Sequence, residues 1–257
     1  MVPVWGPARF AILRAAEGAL HKMMIIPTLN ERDNIAILVS RIRASAGPEP
    51  ILFVDDGSPD GTADEVERLQ KQDSNIHLLR RSNKRGYASA CRDGMRKVLR
   101  ENLSDHVIQS DADLSHPPEA LPMMLNLLKT HPVVIGSRYV PGGGAKNWDF
   151  RRRCLSYGGN LYARTMTGVP IKDMTAGFVG YQTSILKDIN LDMITSEGYA
   201  FLMELKFTLH RRGVPFYEFP IVFMERERGV SKFNRKIMLE GIRFPLKAMR
   251  RRLTSER

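Results

Sequence analysis

The chain has 257 residues, 43% hydrophobic and 26% charged: enough for one sizeable core, with no apolar run near the ~20 residues that cross a bilayer. A formal net charge of +11 and a pI near 9.9 point to an anionic partner, whether nucleic acid, acidic lipid or phosphorylated substrate. Two cysteines, Cys91 and Cys154, show no metal or redox spacing, which favours a reducing compartment.

Residues 1–22 contain Phe10-Ala-Ile-Leu13, broken by Arg14 and Glu17 and too short for a signal-peptide core. This N-terminal extension is given no function. The regular pattern begins with a buried strand at 23–26, ending at Pro27. Asn30 is then placed to cap a helix with Ile35, Leu38, Val39 and Ile42 on one face. A second strand, 51–54, runs into Asp55-Asp-Gly-Ser-Pro-Asp-Gly61, and Thr62-Ala-Asp-Glu65 has the form of a capping box. A strand at 76–79, a helix at 86–100, a strand at 106–110, a helix at 121–129 and a strand at 133–135 follow. Short, nearly continuous apolar strands alternating with helices predict an α/β fold, with a mainly parallel sheet covered on both faces.

Beyond residue 135 the pattern changes. Gly136-Ser-Arg-Tyr139 leads into Pro141-Gly-Gly-Gly144, which reads as a mobile connection, and Arg151-Arg-Arg153 with Ser156 opens a helix ending near Met166. Asp173-Met-Thr-Ala-Gly-Phe178 precedes a short strand at 179–181, a helix begins at Glu197, and strand-like pieces fall within 214–223. From Glu225 to the end there are 11 basic and 4 acidic residues, so +7 of the +11 lies in this last part. On a helix of 100° per residue, Met238, Ile242, Leu246, Met249 and Leu253 share an arc of about 80°, with Lys236, Arg243, Lys247, Arg250 and Arg251 opposite. Pro245 is expected to kink it. Such a basic amphipathic tail suits an anionic membrane interface; a helix packed on the domain with a basic outer face is the other reading.

In open α/β sheets ligands bind beyond the carboxyl ends of the strands. Here those ends carry Pro27-Thr-Leu-Asn-Glu31, Asp55-Asp56 and Asp111-Ala-Asp113. Asp111, Asp113 and Ser115, at spacing two, can face one side of extended chain. Two converging carboxylates call for a cation, and hard oxygen ligands suit Mg²⁺ or Mn²⁺ better than zinc. A solvated Asp-rich turn is the alternative. Neither a GxGxxG after the first strand nor a GxxxxGK[ST] occurs, so a nucleotide would be held by carboxylates, a metal and basic residues from elsewhere.

Together, Pro27-Thr-Leu-Asn-Glu31, Val54-Asp-Asp-Gly-Ser-Pro-Asp-Gly-Thr62, Asp111-Ala-Asp-Leu-Ser-His-Pro-Pro118, Gly136-Ser-Arg-Tyr139 and Arg228-Gly-Val-Ser-Lys232 resemble the inverting family 2 glycosyltransferases, within the branch that mannosylates polyprenyl phosphates. The resemblance implies a GT-A, Rossmann-like domain over 23–232 with the tail 233–257 as a membrane-interface segment. It further implies GDP-mannose as donor, dolichyl or another polyprenyl phosphate as acceptor, and a divalent cation, Mg²⁺ or Mn²⁺. By position, Pro27, Leu29, Glu31, Val54, Asp56 and Ala112 would surround the nucleotide, and Asp111, Asp113 and Ser115 the metal. Arg138, Arg152 and Ser156 would hold the acceptor phosphate, and Arg228, Ser231 and Lys232 would close on the diphosphate. Glu204 would contact sugar or acceptor. Two departures stand out: Leu29 where the family usually has Tyr, and Ala176-Gly-Phe178 where it commonly has a hydroxyl. The implied setting is peripheral, at the cytosolic face of the endoplasmic reticulum or a prokaryotic plasma membrane, with small membrane subunits as a further anchor.

The rival readings are another hexosyl donor on the same lipid class, a sugar-hydroxyl acceptor with Glu204 as base, and a non-catalytic basic membrane binder of the same fold. No aromatic-basic module for nucleic acid is visible, so a nucleic-acid partner is not expected.

Overall fold

The computed structural model describes residues 22–82, 86–225 and 235–254. Strands β1 (Lys22–Thr28), β2 (Ile51–Asp55), β3 (Ile76–Arg80) and β4 (His106–Gln109) alternate with helices α1 (Arg32–Ala46), α2 (Thr62–Gln70) and α3 (Tyr87–Arg100). Then come α4 (Leu121–Leu127), β5 (Val133–Ser137), β6 (Gly144–Ala145) and α5 (Phe150–Thr167). The chain continues with β7 (Val179–Gln182), α6 (Thr183–Lys187), α7 (Gly198–Arg211), β8 (Tyr217–Pro220), β9 (Val222–Phe223) and α8 (Arg235–Leu253).

Seven strands form one sheet in the order β3-β2-β1-β4-β7-β5-β8, and β6 pairs with β9 apart from it. All pairs in the large sheet are parallel except those of β7, which runs against both β4 and β5. Successive strand residues feed opposite faces, as a period of two requires. Ile25, Leu52, Val54, Val107 and Val179 join the layer that holds α3 and α7, while Met24, Ile26, Phe53, Ile108 and Val134 join the one that holds α1 and α4. Burial on both faces explains why these strands read as unbroken apolar runs.

The strand order reverses at β1: β2 and β3 lie on one side, β4 on the other. Such a switch point opens a crevice at the carboxyl edge. Asp56 N–H donates to Thr28 O (2.9 Å) and Ser110 N–H to Ile25 O (3.2 Å), so the loops leaving β1, β2 and β4 share that edge.

Several local expectations are corrected. Asn30 does not cap α1: it sits in the left-handed region (φ 56°), gives its N–H to Ser58 Oγ at 3.0 Å, and leaves the cap position to Glu31. Thr62 is the first helical residue rather than a capping-box cap, and its N–H and hydroxyl both go to Asp60 Oδ1 (2.9 and 2.6 Å). Asp149, not Ser156, opens α5, with its carboxylate accepting Arg152 N–H at 2.8 Å. The glycine-rich connection is built in rather than loose. Gly144 N–H bonds Ile221 O at 3.0 Å, and a Cβ on Gly143 would lie 2.5 Å from Ser137 O, a space only glycine allows.

Helix α8 runs through Pro245 and lies against α5 and α7. Phe244 and Ala248 enter the core, Phe244 edge-on to Phe207 with centroids 6.1 Å apart. Pro245 has no N–H for the Gly241 carbonyl. One residue on, Ile242 O accepts the Tyr162 hydroxyl at 2.9 Å. Of the stripe read from the sequence, Met238, Ile242, Leu246 and Leu253 are exposed and Met249 is half-buried. One face of the helix is thus packed on the domain, as the second reading of the tail expects, and the apolar stripe lies on another.

Candidate functional site

At the strand-order switch point, Pro27, Val54, Glu31, Asp56 and Ala112 are buried and Leu29 is half-buried. Asp56 is fixed through both oxygens. Arg81 Nη1 donates to Oδ1, and Gly86 N–H reaches Oδ2 at 2.8 Å. Arg81 itself is held by Asp93 (3.0 Å) and Ser89 (2.5 Å). Glu31 accepts from Asn34 Nδ2 at 2.8 Å, and its N–H donates to Thr62 Oγ1 at 2.9 Å. Asp55, the first carboxylate after β2, is used locally: it accepts from Gly57 N–H, Ser58 N–H and Ser58 Oγ, shaping the turn.

The loop after β4 carries half-buried Asp111 and buried Asp113 in a bend rather than in the extended chain that their spacing predicts. Leu114 adopts φ 63°, an unusual backbone for a branched residue, which folds Ser115 back onto Asp113. Ser115 is wholly buried and gives both N–H (3.1 Å) and Oγ–H (2.5 Å) to Asp113 Oδ1. Its hydroxyl orients the carboxylate from behind. Asp111 N–H donates to His116 Nδ1 at 3.1 Å, and His116 Nε2 lies 3.9 Å from Asp111 Oδ2. The His116 ring stacks on Phe178 and meets Phe223 edge-on. Tyr87, whose hydroxyl accepts Gln109 Nε2 at 2.8 Å, completes this wall; burial, with the charge of Asp111, raises its pKa well above the usual phenol value.

Antiparallel β7 links this loop to a second cluster, centred on Arg138. Its register places Val179 opposite Gln109 of β4 and Ile135 of β5, so the segment entering β7 lands beside the exits of both strands. Gly177 is consequently pressed against the acidic loop: a Cβ there would meet Tyr87 Oη at 3.2 Å, His116 Cε1 at 3.3 Å and Asp111 Oδ2 at 3.6 Å. Asp173, fully buried, binds Arg138 three times, accepting its N–H (3.0 Å), Nε (2.8 Å) and Nη2 (2.6 Å). Burial opposes the Arg138 charge, but the carboxylate outweighs it and raises the guanidinium pKa; reciprocally, Arg138 overcomes burial and lowers that of Asp173. Arg138 also reaches Thr175 Oγ1 at 2.8 Å and is ringed by Tyr139, Trp148 and Phe223, each 5.4 to 5.5 Å from Cζ.

Arg152, on the first turn of α5, lies over the same indole (4.5 Å) and pairs with Glu225. Ser156 accepts the Tyr139 hydroxyl at 2.6 Å. A cavity of about 290 Å³ opens here, lined in part by Arg138, Trp148, Arg153 and Tyr157. The structure therefore places Arg138, Arg152 and Ser156 around one aromatic centre. Glu204 lies elsewhere, 1% exposed within α7, accepting Ser196 N–H at 2.8 Å. Arg228, Ser231 and Lys232 lie outside the described residues. The chain approaches them from the acidic loop, since Met224 N–H donates to Ser115 O at 3.0 Å.

The family profile described as Glycosyl transferase family 2 matches residues 23–189. The chain belongs to that family. This glycosyltransferase is 40% identical over 223 residues to an undecaprenyl-phosphate mannosyltransferase of Micrococcus luteus, covering 87% of the chain and 91% of the relative. It is 41% identical to a polyprenol monophosphomannose synthase of Mycolicibacterium smegmatis, covering 82% and 80%. Against a dolichol-phosphate mannosyltransferase of Saccharomyces cerevisiae the identity is 35%, covering 86% and 84%. Among solved structures, glucosyl-3-phosphoglycerate synthase from Mycobacterium tuberculosis, in complex with Mn²⁺ and UDP-glucose, superposes with a TM-score of 0.64 at 17% identity, covering 96% of the chain and 84% of that structure. The fold is GT-A, as the resemblance implied.

The sequence reading missed Arg81, Tyr87, His116, Trp148, Asp173 and Glu225. His116 and Asp173 stood inside stretches already singled out, and Trp148 follows the glycine-rich connection. The only signal for Arg81 and Glu225 was charge, which does not reveal a partner.

Proposed function

We propose that this glycosyltransferase moves mannose from GDP-mannose to a dolichyl or other polyprenyl phosphate, with inversion at the anomeric carbon. The observation that carries the reading is the meeting, at the entry to β7, of a carboxylate loop (Asp111, Asp113) with the cationic and aromatic centre of Arg138, Arg152 and Trp148. The names of the mannosyltransferase relatives favour the same acceptor class.

Pro27, Leu29, Glu31, Val54, Asp56 and Ala112 would enclose the nucleoside. Asp111 and Asp113 would hold a divalent cation, Mg²⁺ or Mn²⁺. No group of three or more His, Cys, Asp or Glu converges among the described residues, and a cation shared between one or two carboxylates and a substrate diphosphate is the usual Mg²⁺ arrangement. When bound, such an ion offsets charge developing on the leaving diphosphate. Ser115 keeps Asp113 oriented for that role.

A phosphomonoester has a second pKa of ~6, so the nucleophile is already ionised near neutral pH. One phosphate oxygen forms the bond to the anomeric carbon as the bond to the diphosphate oxygen breaks, and the electron pair leaves with the nucleotide. No strong base is required, consistent with Glu204 being engaged by the Ser196 amide. What the protein must supply is cationic hydrogen bonding that draws one anion toward another. Arg138 and Arg152 would serve this, with Ser156 beside them. Arg228, Ser231 and Lys232 would complete the diphosphate contacts.

The enzyme is proposed to work at a membrane surface. No helix among the described residues is long and apolar enough to span a bilayer. Phe150, Leu155 and Leu161 of α5 and Met238, Ile242 and Leu246 of α8 are exposed on helices that pack together, amid arginines and lysines. That combination suits an anionic interface, on the cytosolic side where nucleotide sugars are available.

A transfer assay crossing GDP-mannose, GDP-glucose and UDP-glucose with polyprenyl phosphates, with and without Mn²⁺, tests the reading. Mannosyl transfer from GDP-mannose, dependent on the cation, is expected. Transfer from UDP-glucose alone would replace the donor assignment, and no transfer to any polyprenyl phosphate would end the acceptor assignment.

A further inference from the structure

Lys206 of α7 has no exposed surface. Its Nζ donates to Met174 O at 3.0 Å and Ala176 O at 2.7 Å. A buried cation is costly unless it is paired and hydrogen-bonded. The two carbonyls flank Thr175, which accepts from Arg138 and is bonded to Asn160 of α5 at 3.2 Å. Asp173 and Gly177, on either side, touch the acceptor centre and the acidic loop respectively. Glu218 of β8 fastens the start of the segment through Lys172 N–H (2.7 Å) and Asp173 N–H (3.0 Å).

The charge balance makes the ammonium informative. Arg138 is chelated by Asp173, so the pair alone presents almost no net charge to an incoming anion. With Glu218 beside Asp173 the cluster without Lys206 is net negative, and Lys206 brings the four groups to balance.

We propose that Lys206 is a positioning residue for the anionic acceptor: its ammonium clamps the segment 173–177 and offsets Asp173, so that Arg138 attracts the incoming phosphate. This rests on the acceptor reading given above. The charge is also conditional. Burial pushes the Lys206 pKa down to about 7, against the pull of Asp173 and Glu218 and with the help of Arg138. From α3, Arg92 is directed to Phe201 and the carbonyls of Ile194 and Ser196, and α8 presents Phe244 and Ala248 to the core. An arriving phosphate dianion favours the protonated amine, so acceptor binding takes up a proton near neutral pH.

The test is steady-state transfer by the full chain at pH 6.5 to 8.5, with donor and polyprenyl phosphate varied separately, for wild type, Lys206→Met and Lys206→Gln. In wild type the acceptor KM should rise several-fold across this range, where the phosphate itself is already ionised, while the donor KM stays within about twofold. Both variants should show an acceptor KM about tenfold above wild type at pH 6.5 and little further change with pH. Lys206→Gln keeps a neutral donor, so it separates charge from simple hydrogen bonding. Variants with wild-type acceptor KM, or with an undiminished pH dependence, would overturn the proposal. If neither variant folds, a flat wild-type acceptor profile does so on its own. A wild type that transfers to no polyprenyl phosphate overturns the acceptor reading and this inference together.

Discussion

At the scale of single residues, buried charge is the recurring device. Asp113 is oriented by Ser115, and Asp113→Ala should lower kcat by roughly 10²-fold or more, the size of effect seen when a group facing developing charge is removed. Circular dichroism and a single-turnover assay with Mn²⁺ check this: near-normal transfer by a folded variant would dismiss the carboxylate pair as the metal ligands. Lys206 has a stability signature separate from its effect on acceptor use. Its folded pKa of about 7 lies below the ordinary lysine value of 10.5, so above pH 7 the unfolded chain binds the extra proton. Stability contributed at this site therefore rises with pH between those values, by at most about 1.4 kcal/mol per unit. Urea unfolding at pH 7 and pH 9 should show wild type gaining on Lys206→Met. Asp111 and Asp113 were conspicuous in the sequence because an apolar run ends at carboxylates two apart. Arg81, Asp173 and Lys206 were not, since their partners come from distant strands and loops and a lone charge does not announce which one it will meet.

At the scale of elements, the decisive feature is the reversed strand β7. A four-residue apolar strand has no intrinsic direction in its sequence, so the alternation of strands and helices conveyed a sheet without conveying this reversal. The glycines that permit close approach were equally ambiguous. Gly143 read as slack, yet it marks where a loop passes within van der Waals limits of the Ser137 carbonyl, next to Arg138. Gly143→Ala should displace that backbone and raise the acceptor KM while sparing the donor KM; kinetics with the two substrates varied separately decide it, and an unchanged acceptor KM would mean the loop yields freely. Gly94 in α3 serves packing instead. A Cβ there would stand 2.7 Å from Ile25 and 3.0 Å from Val54, so Gly94→Val should cost about 1–3 kcal/mol by overpacking, measured by urea denaturation. The longer helices were announced by the sequence, but the five-residue α6 was not. Nor were the caps of α1 and α2, because Asn30 and Thr62 are drawn into bonds with the neighbouring loop at Ser58 and Asp60.

At the scale of the whole molecule, the net charge of +11 and the outward stripe of α8 act together. Replacing Ile242 and Leu246 by Glu should reduce binding to anionic phospholipid vesicles in flotation by about tenfold, yet leave transfer to a short, water-soluble polyprenyl phosphate close to wild type. Equal loss on both acceptors would show that the stripe supports the fold rather than the interface. The basic composition suits the anionic acceptor proposed above, and the arc of apolar tail residues foretold most of the stripe. The angular pattern could not reveal that Phe244 and Ala248, off the stripe, root the helix in the protein. That rooting has a geometric consequence. Helix α5 carries Arg152 and Ser156 on its early turns, shares the outward apolar surface, and is bonded to α8 through Tyr162. In the proposed membrane setting, the height of α8 on a leaflet would therefore set the height of Arg152 and Ser156 as well.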